Sequence, residues 1–197
     1  MMTPPLSILD DQYWTGRYKE QQTGWDIGYP STPLKEYIDE LSDKSLKILI
    51  PGCGNAYEAD YLIQQGFKDV TLVDISEELV NNLKAKFSGK PVKIIHEDFF
   101  LHSGKYDLIL EQTFFCALHP SQRVDYAIKM KDLLKPGGKL VGLLFNKEFE
   151  GGPPFGGSKE EYRKLFSKYF AEVKIESCYN SIPPRKDSEV FFSLKND

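Results

Sequence analysis

The fold is indicated by the stretch LKILIPGCG at residues 46–54, where a short apolar segment runs directly into a glycine turn. The aliphatic residues at 46–50 predict a buried strand, and Pro51 with Gly52 ends it. Further strand patterns lie at about residues 70–73, 92–95, 106–110 and 139–145, and helix patterns at about 56–65, 76–87, 121–134 and 158–169. Strands that alternate with helices predict βαβ units and a parallel sheet.

The C-terminal part of the chain departs from this alternation. Two strand-like stretches, residues 171–178 and 189–194, follow one another without a helix between them, which predicts an antiparallel hairpin at one sheet edge. The predicted fold class is α/β: a three-layer α/β/α Rossmann-like sandwich around a mixed seven-stranded sheet with an antiparallel C-terminal strand. A chain of 197 residues is expected to form one domain overall.

Composition and charge limit the classes of function. The chain has 25 Lys and Arg against 29 Asp and Glu, a net charge of −4, so we expect no binding to nucleic acid. No apolar run approaches the roughly 18 residues that span a membrane, and residues 1–5 lack the features of a signal peptide. Three cysteines are too few for a disulfide scaffold, and three scattered histidines indicate no metal site. We expect a monomeric, cytoplasmic protein with a small-molecule substrate.

Three features at the ends of predicted strands indicate a nucleotide-like cofactor. Gly52 and Gly54 let the backbone approach a ligand that a Cβ atom would exclude. Asp74 ends the second strand 20 residues after Gly54, the spacing at which an acidic residue reaches a ribose hydroxyl. Asp98 follows the third strand, where a carboxylate can accept a hydrogen bond from the adenine amino group, and Phe99 can cover the base.

The residues after the glycine turn narrow the choice of cofactor. A dinucleotide-binding turn needs a third glycine where this chain has Tyr57, and a P-loop needs Gly-Lys-Ser/Thr where it has Asn55-Ala56-Tyr57. Both differences disfavour cofactors with a pyrophosphate or triphosphate group, and with them a nicotinamide-dependent dehydrogenase. The pattern favours an adenosine cofactor without pyrophosphate. This points to S-adenosylmethionine, with S-adenosylhomocysteine as its product.

Two sets of short motifs occur together along the chain. The first set lies at residues 49–54, 73–76, 98–100 and 134–138, and on it the chain resembles class I S-adenosylmethionine-dependent methyltransferases. The second set lies at residues 25–28, 113–118, 120–127 and 151–155. On this set the chain is similar to the thiopurine S-methyltransferase family, in its halide/thiol methyltransferase branch. The resemblance covers about residues 10–195, and Gly151-Gly152-Pro153-Pro154-Phe155 is its most specific part.

The resemblance implies roles for individual residues. It implies an N-terminal aromatic cap, residues 1–45, over a cofactor site in the methyltransferase core, residues 46–197. The implied cofactor-binding residues are Trp14, Tyr18, Trp25, Gly52, Asp74, Asp98, Phe99 and Gln112. The implied substrate pocket contains Tyr29, Phe114, Phe115 and Phe155, and Arg123 is the implied catalytic residue that orients the substrate. Three positions depart from the family pattern: Ala56 replaces a glycine, Tyr18 a tryptophan, and Gln112 a tyrosine or arginine.

The predicted reaction is methyl transfer to a small soft nucleophile, by in-line displacement without a strong general base. A halide, thiocyanate, bisulfide or thiolate arrives as an anion, so the protein has mainly to align and desolvate it. Two alternatives stay open: a nitrogen or oxygen acceptor, and a non-catalytic S-adenosylmethionine-binding protein. Nitrogen methylation is disfavoured because residues 111–114 lack an Asn/Asp-Pro-Pro-Tyr motif. The choice among halide, bisulfide, thiocyanate, thiopurine, tellurite and other thiols stays open as well.

Overall fold

The computed structural model describes residues 9–197, so residues 1–5, on which the expectation of no signal peptide rests, lie outside the described residues. The strands are β1 (Lys47–Pro51), β2 (Asp69–Asp74), β3 (Val92–His96), β4 (Tyr106–Gln112), β5 (Leu134–Phe145), β6 (Glu172–Ser177) and β7 (Glu189–Lys195). They form one sheet in the order β3-β2-β1-β4-β5-β7-β6. The strands β1 to β5 are parallel, and β7 pairs antiparallel with both β5 and β6. The predicted fold class, with its mixed sheet and antiparallel C-terminal strand, is confirmed.

The helices lie before, between and after these strands. They are α1 (Asp11–Lys19), α2 (Thr32–Asp39), α3 (Tyr57–Gln64), α4 (Glu77–Lys86), α5 (Arg123–Leu133) and α6 (Lys159–Phe166). We call residues 9–45, which contain α1 and α2, the head. No helix was predicted in the head. α1 buries none of its residues and therefore carries no apolar periodicity. α2 does bury Pro33, Leu34 and Ile38, but it has only eight residues, so its apolar pattern is short. None of the helices within residues 9–197 is long and apolar enough to cross a membrane.

The fifth strand begins earlier than the sequence pattern predicts. It starts at Leu134 instead of residue 139, and its pairing with β4 shifts between Tyr106 and Leu108. Tyr106 pairs with Leu134, whereas Leu108 pairs with Lys139. The extra residues of β5 include Pro136 and two glycines, which sequence patterns assign to a turn. In the structure these residues stay within β5, because the shift in its pairing with β4 accommodates the extra residues.

Two hydrophobic clusters cover the two faces of the sheet. On one face α2, α3 and α4 contribute Ile38, Leu62 and Leu83, among others. On the other face α5 and α6 contribute Tyr126 and Phe166. The helices therefore lie in two layers with the sheet between them, so that the carboxyl ends of the parallel strands are left for a binding site.

The order of the strands reverses between β1 and β4. From β1 the chain continues outward to β2 and β3, and from β4 it continues in the other direction to β5. The loops after β1 and β4 therefore diverge and leave a crevice at the carboxyl ends of these strands. In open α/β sheets, ligands bind in this crevice.

Gly142 allows β4 and β5 to pack at this position. It pairs with Glu111 of β4, and a Cβ atom on it would lie 2.3 Å from the Glu111 carbonyl oxygen and 2.7 Å from the Glu111 Cβ. Both neighbours belong to a buried strand and cannot move independently of the sheet. The residue at this position must therefore be a glycine.

We predict that Gly142→Ala lowers the free energy of unfolding by about 2–3 kcal/mol, because the added methyl group overpacks the sheet. The matched control is Gly16→Ala in α1, where nothing lies within 4 Å of the added Cβ. The control should be neutral or stabilising by about 0.5–1 kcal/mol, since alanine favours a helix over glycine. Urea unfolding measures both, and equal midpoints for the two variants would contradict the prediction.

Candidate active site

A cavity of about 760 Å³ lies at the carboxyl ends of β1 to β4, beneath the head. Its volume falls within the range of about 300–1,000 Å³ that is typical of small-molecule sites. Most of the residues that the sequence analysis selected line it: Trp14, Tyr18, Trp25, Tyr29, Gly52, Asp74, Asp98, Phe99, Gln112 and Phe114. Residues from the head and from four strand ends thus meet in one place.

The glycine turn forms the floor of the cavity. Gly52 has a φ angle of +54°, and its N–H donates to the Val73 carbonyl at 2.8 Å. A Cβ atom at Gly52 would lie 2.1 Å from the Cδ2 atom of Phe114. The N–H of Gly54 donates to the Asp74 carboxylate at 3.3 Å, which ties the turn to the end of β2.

Asp74 is a buried carboxylate at the edge of this turn. Its Oδ1 atom accepts the Ser76 N–H at 3.0 Å, and its Oδ2 atom accepts the N–H of Gly54. Burial raises the pKa of Asp74 to about 6, although these N–H groups lower it. The group is therefore ionised at neutral pH. Each oxygen holds one backbone N–H and keeps a lone pair for a hydroxyl donor of a ligand.

The aromatic residues of the head pack against one another above the cavity. The Trp25 ring lies edge-on to Trp14 at 5.6 Å and to Tyr18 at 5.9 Å between centroids. The guanidinium carbon of Arg17 lies 5.8 Å from the centroid of the Trp25 ring. Burial raises the pKa of Tyr18, with the charge of Asp74 adding to the effect, so the phenol stays neutral.

Hydrogen bonds attach the head to the core. The Asp26 carboxylate accepts from the side-chain amide of Asn55 and from the Tyr57 hydroxyl, both next to the glycine turn. The Arg185 guanidinium donates to the Trp25 carbonyl at 2.8 Å. Two further contacts are the Ser31 N–H to Glu58 at 3.0 Å and the Glu77 N–H to Asp11 at 3.1 Å. The head is therefore connected to α3, α4 and the segment before β7.

The loop after β3 forms another wall. The Asp98 carboxylate accepts the Phe100 N–H at 2.9 Å, and the Phe99 ring lies edge-on to Phe114 at 5.1 Å. Glu97 also lines the cavity and is held by buried His102, whose other ring nitrogen lies 2.8 Å from the Tyr106 hydroxyl. Sequence analysis missed this role of Glu97.

Gln112 presents an open acceptor at the end of β4. Its side-chain oxygen is buried, and it has no hydrogen-bond partner among residues 9–197. Buried polar atoms in proteins are normally paired, so this oxygen suits a donor on a bound molecule. With the ionised Asp74, the glycine floor and the Asp98–Phe99 wall, the residues present fit an adenosine cofactor.

The structure places Arg123, Phe115 and Phe155 outside the cavity lining. Phe115 belongs to the hydrophobic core at 1% exposure, because the turn after β4 directs its ring between α5 and α6. The Arg123 guanidinium lies over that ring, 5.1 Å from its centroid, and donates to the Gly156 carbonyl at 2.5 Å. Phe155 is buried, and its N–H donates to the Cys116 carbonyl at 2.6 Å. These three residues therefore lie behind the wall of the cavity and do not line it.

Arg185 lines the cavity and was missed by the sequence analysis. It is 8% exposed, and its Nη1 atom lies 3.4 Å from the Glu189 carboxylate. An isolated arginine after two prolines carries no signal of burial. Phe145, Phe149 and Lys147 also line this side, and no pattern in the sequence marked them.

The cavity lining contains no histidine among residues 9–197. Cys116 lines it, but burial raises the pKa of its thiol far above the ordinary value, and the charge of Glu111 adds to this, so the thiol stays neutral. No group of three or more metal-ligating side chains occurs in the part of the chain that the structure describes. Burial likewise raises the pKa of the Cys53 thiol, the other cysteine of the lining, so it stays neutral too. The carboxylates of the lining lie on the head, on α3 and at the ends of β2 and β3, and the side formed by Phe145, Phe149 and Pro153 is apolar. The site can therefore position and desolvate reactants.

Comparison with known proteins supports the assignment. The sequence model of the family "Thiopurine S-methyltransferase (TPMT)" matches residues 9–194. "Probable thiol methyltransferase 2" of Arabidopsis thaliana is 35% identical over 184 residues, 89% of this chain and 81% of that protein. "Thiocyanate methyltransferase 1" of the same plant is 30% identical over 190 residues, 92% of this chain and 83% of that protein.

A solved structure shows the same fold. The 1,6-didemethyltoxoflavin-N1-methyltransferase of Burkholderia thailandensis superposes with a TM-score of 0.75 at 16% identity, over 97% of this chain and 89% of that one. The family match and the plant relatives confirm the resemblance found in the motifs. The chain therefore belongs to the thiopurine S-methyltransferase family and is an S-adenosylmethionine-dependent methyltransferase.

Proposed function

We propose that this enzyme methylates a small soft anion: a thiolate, bisulfide, thiocyanate or halide. When bound, S-adenosylmethionine supplies a methyl group on a positively charged sulfur, which is a good leaving group. One observation carries the proposal: the cavity lining contains no histidine among the described residues, and burial keeps its two thiols, Cys53 and Cys116, neutral, so its apolar side has neither of these proton acceptors. An acceptor that arrives as an anion needs no such group.

We infer cofactor roles from the positions of the lining residues. Asp74 accepts the ribose hydroxyls, Asp98 and Phe99 hold the adenine, and Gly52 lies under the methionine part. The residues that cover or contact the cofactor from the other sides are Trp14, Tyr18, Trp25 and Gln112. The head acts as the cap that keeps water from the reacting atoms.

The acceptor side is mainly apolar. It is lined by Tyr29, Phe114, Leu118, Phe145, Phe149, Pro153 and Pro154. A soft anion loses less hydration energy than a hard one on entering such surroundings, and aromatic faces stabilise the sulfonium by cation–π contact. Lys147 on this side supplies positive charge that attracts the anion, whereas the charge of buried Arg185 is offset by its pairing with Glu189. Arg123 contributes by holding the Gly156 carbonyl and does not orient the acceptor itself.

The names of the plant relatives support this acceptor class. One is a probable thiol methyltransferase and the other a thiocyanate methyltransferase, and both match about nine-tenths of this chain, 89% and 92%. Thiocyanate and thiolates are soft anions, as the proposal requires.

We predict that the enzyme transfers labelled methyl from S-adenosylmethionine to iodide, thiocyanate and bisulfide. Thiophenol and 6-mercaptopurine complete the panel, because they test whether the cavity prefers aromatic thiols. Turnover of aromatic thiols alone would move the acceptor to the thiopurine class. Cofactor binding without transfer to any acceptor would refute the proposed function.

We predict that Trp25→Ala weakens S-adenosylhomocysteine binding about tenfold, because the ring is lost from the cover of the cavity. The matched control is Tyr179→Ala, which removes an aromatic side chain that is 87% exposed and outside the cavity lining, together with one exposed hydrogen bond from its hydroxyl to Glu36 of the head. Isothermal titration of both variants measures the effect. Equal affinities for the two variants would show that the Trp25 ring packs within the head and contributes nothing to ligand binding.

We predict that cofactor affinity falls as the pH drops below about 6. Burial raises the pKa of Asp74 to about 6, and protonation removes one of the acceptors that the ribose hydroxyls need. If only the ionised form binds, the dissociation constant rises about tenfold per pH unit below this value. Titration of the wild type against pH tests this, with Asp74→Asn as the control that should bind weakly at every pH. An affinity independent of pH in the wild type would contradict the role of Asp74.

A further inference from the structure

Glu111 is a fully buried carboxylate near the end of β4. Its Oε1 atom accepts two backbone N–H groups, from Phe114 and Phe115, each at 2.8 Å. Its Oε2 atom is buried and has no hydrogen-bond partner within residues 9–197. Neither the motifs nor the proposed function gives this group a role, although burial of an acid in a core is costly.

The turn that Glu111 holds forms one wall of the cavity. It begins at Thr113, which has a φ angle of +59°, an unfavourable conformation for a β-branched residue. Phe114, Cys116 and Leu118, which follow, line the cavity. We call residues 113–118 the wall turn.

The wall turn also carries the loop at residues 151–157. The Phe155 N–H donates to the Cys116 carbonyl at 2.6 Å, and Pro153 and Pro154 of this loop line the cavity. A displacement of the wall turn therefore displaces both sides of the acceptor region. The hydrogen bonds of Glu111 lie at the base of this chain of contacts.

We propose that Glu111 is a positioning residue for the methyl acceptor, and that its ionised carboxylate fixes the wall turn in the geometry needed for transfer. The inference rests on the proposed function, because it takes the wall turn as the boundary of the acceptor site. Glu111 does not line the cavity, so it acts through the backbone of Phe114 and Phe115.

The two protonation states of Glu111 differ in how firmly they hold the turn. Hydrogen bonds to an ionised oxygen are about twice as strong as those to a neutral one. A protonated Glu111 would also place a hydroxyl group at Oε2, where the structure offers no acceptor within the described residues. The neutral form therefore holds the wall turn less firmly, and the acceptor site is better ordered when Glu111 is charged.

Glu111 changes its charge near neutral pH. Burial raises its pKa to about 7, the two N–H groups lower it, and the charge of Glu189 adds to the rise. The titratable groups that face it are Glu189 from β7, Cys116 of the wall turn, Tyr126 from α5 and Tyr162 from α6. Burial raises the pKa of the thiol and of both phenols, so these three stay neutral in this range. The pKa of Glu189 is raised too, and Arg185 opposes the rise, so Glu189 needs its own control.

The test uses thiocyanate and iodide as acceptors, since neither changes charge near neutral pH, with S-adenosylmethionine at saturation so that Asp74 does not limit the rate. For the wild type, we expect kcat/KM for the acceptor to rise about tenfold from about pH 6 to about pH 8, following the ionised fraction of Glu111. For Glu111→Gln, which has an amide oxygen but no titration, we expect a change of less than about twofold. A Glu111→Gln profile with the wild-type slope would overturn the proposal.

Two control variants locate the titrating group. Asp107→Asn removes another carboxylate of β4, which binds Lys135 and the Lys47 N–H and does not line the cavity, so it should keep the wild-type profile. Glu189→Gln should still titrate, but with its midpoint at lower pH, because the charge of Glu189 raises the pKa of Glu111. If Glu189→Gln loses the slope and Glu111→Gln keeps it, Glu189 is the titrating group and the proposal is wrong.

Amide hydrogen exchange gives a readout that does not need turnover. In the wild type, the protection factors of the Phe114 and Phe115 amides should rise about tenfold between about pH 6 and about pH 8, and in Glu111→Gln they should stay constant. Equal protection in the wild type at both values would overturn the proposal, even if Glu111→Gln failed to fold. If the enzyme binds its cofactor and methylates neither anion, the proposed function fails, and the exchange experiment still decides whether Glu111 holds the wall turn.

Discussion

The site depends on the contact between Gly52 and the ring of Phe114. Gly52 follows β1 and Phe114 follows β4, and these strands are neighbours where the order of the sheet reverses. The ring occupies the space that a Cβ atom would need, so the floor and the wall of the cavity are packed directly together. Because methyl transfer is an in-line displacement, its rate depends on the relative position of donor and acceptor. The contact between Gly52 and Phe114 fixes the position of the glycine turn relative to the turn after β4.

The two helices of the head are attached to the core in different ways. α2 inserts Leu34 and Ile38 into the core, whereas α1 buries none of its residues. α1 and the segment after it are held by hydrogen bonds, such as those of Asp26 and Arg185, and by contacts among aromatic rings. Segments with few buried apolar contacts open at a lower free energy than the core. This part of the head is therefore held less firmly than the sheet and than α2.

The features that could be predicted from the sequence are those set by residues close to one another in the chain. The alternation of strands and helices, the glycine turn and the acid at the end of β2 each follow from short-range requirements, and the structure places Gly52 and Asp74 together. The positions of Arg123 and Phe115 depend on which side of the turn after β4 faces the core. A sequence motif does not indicate that orientation. Glu111 and Arg185 are charged groups that became buried through tertiary packing. The sequence marks the first of them only by its position directly after the apolar residues 108–110.

The charges of the cavity follow the order of the strands. Asp74, Glu97 and Asp98 lie at the ends of β2 and β3, on one side of the reversal point. Lys147 and Arg185 lie beyond the end of β5 and before β7, on the other side. Glu189 offsets the charge of Arg185, so the net positive charge on this second side comes from Lys147. Under the proposed function, a sulfonium cofactor would meet the carboxylates and an anionic acceptor would meet Lys147. Gly52 and Phe114 lie between the two sides. The same reversal of strand order that creates the crevice thus also places side chains of opposite charge on its two sides.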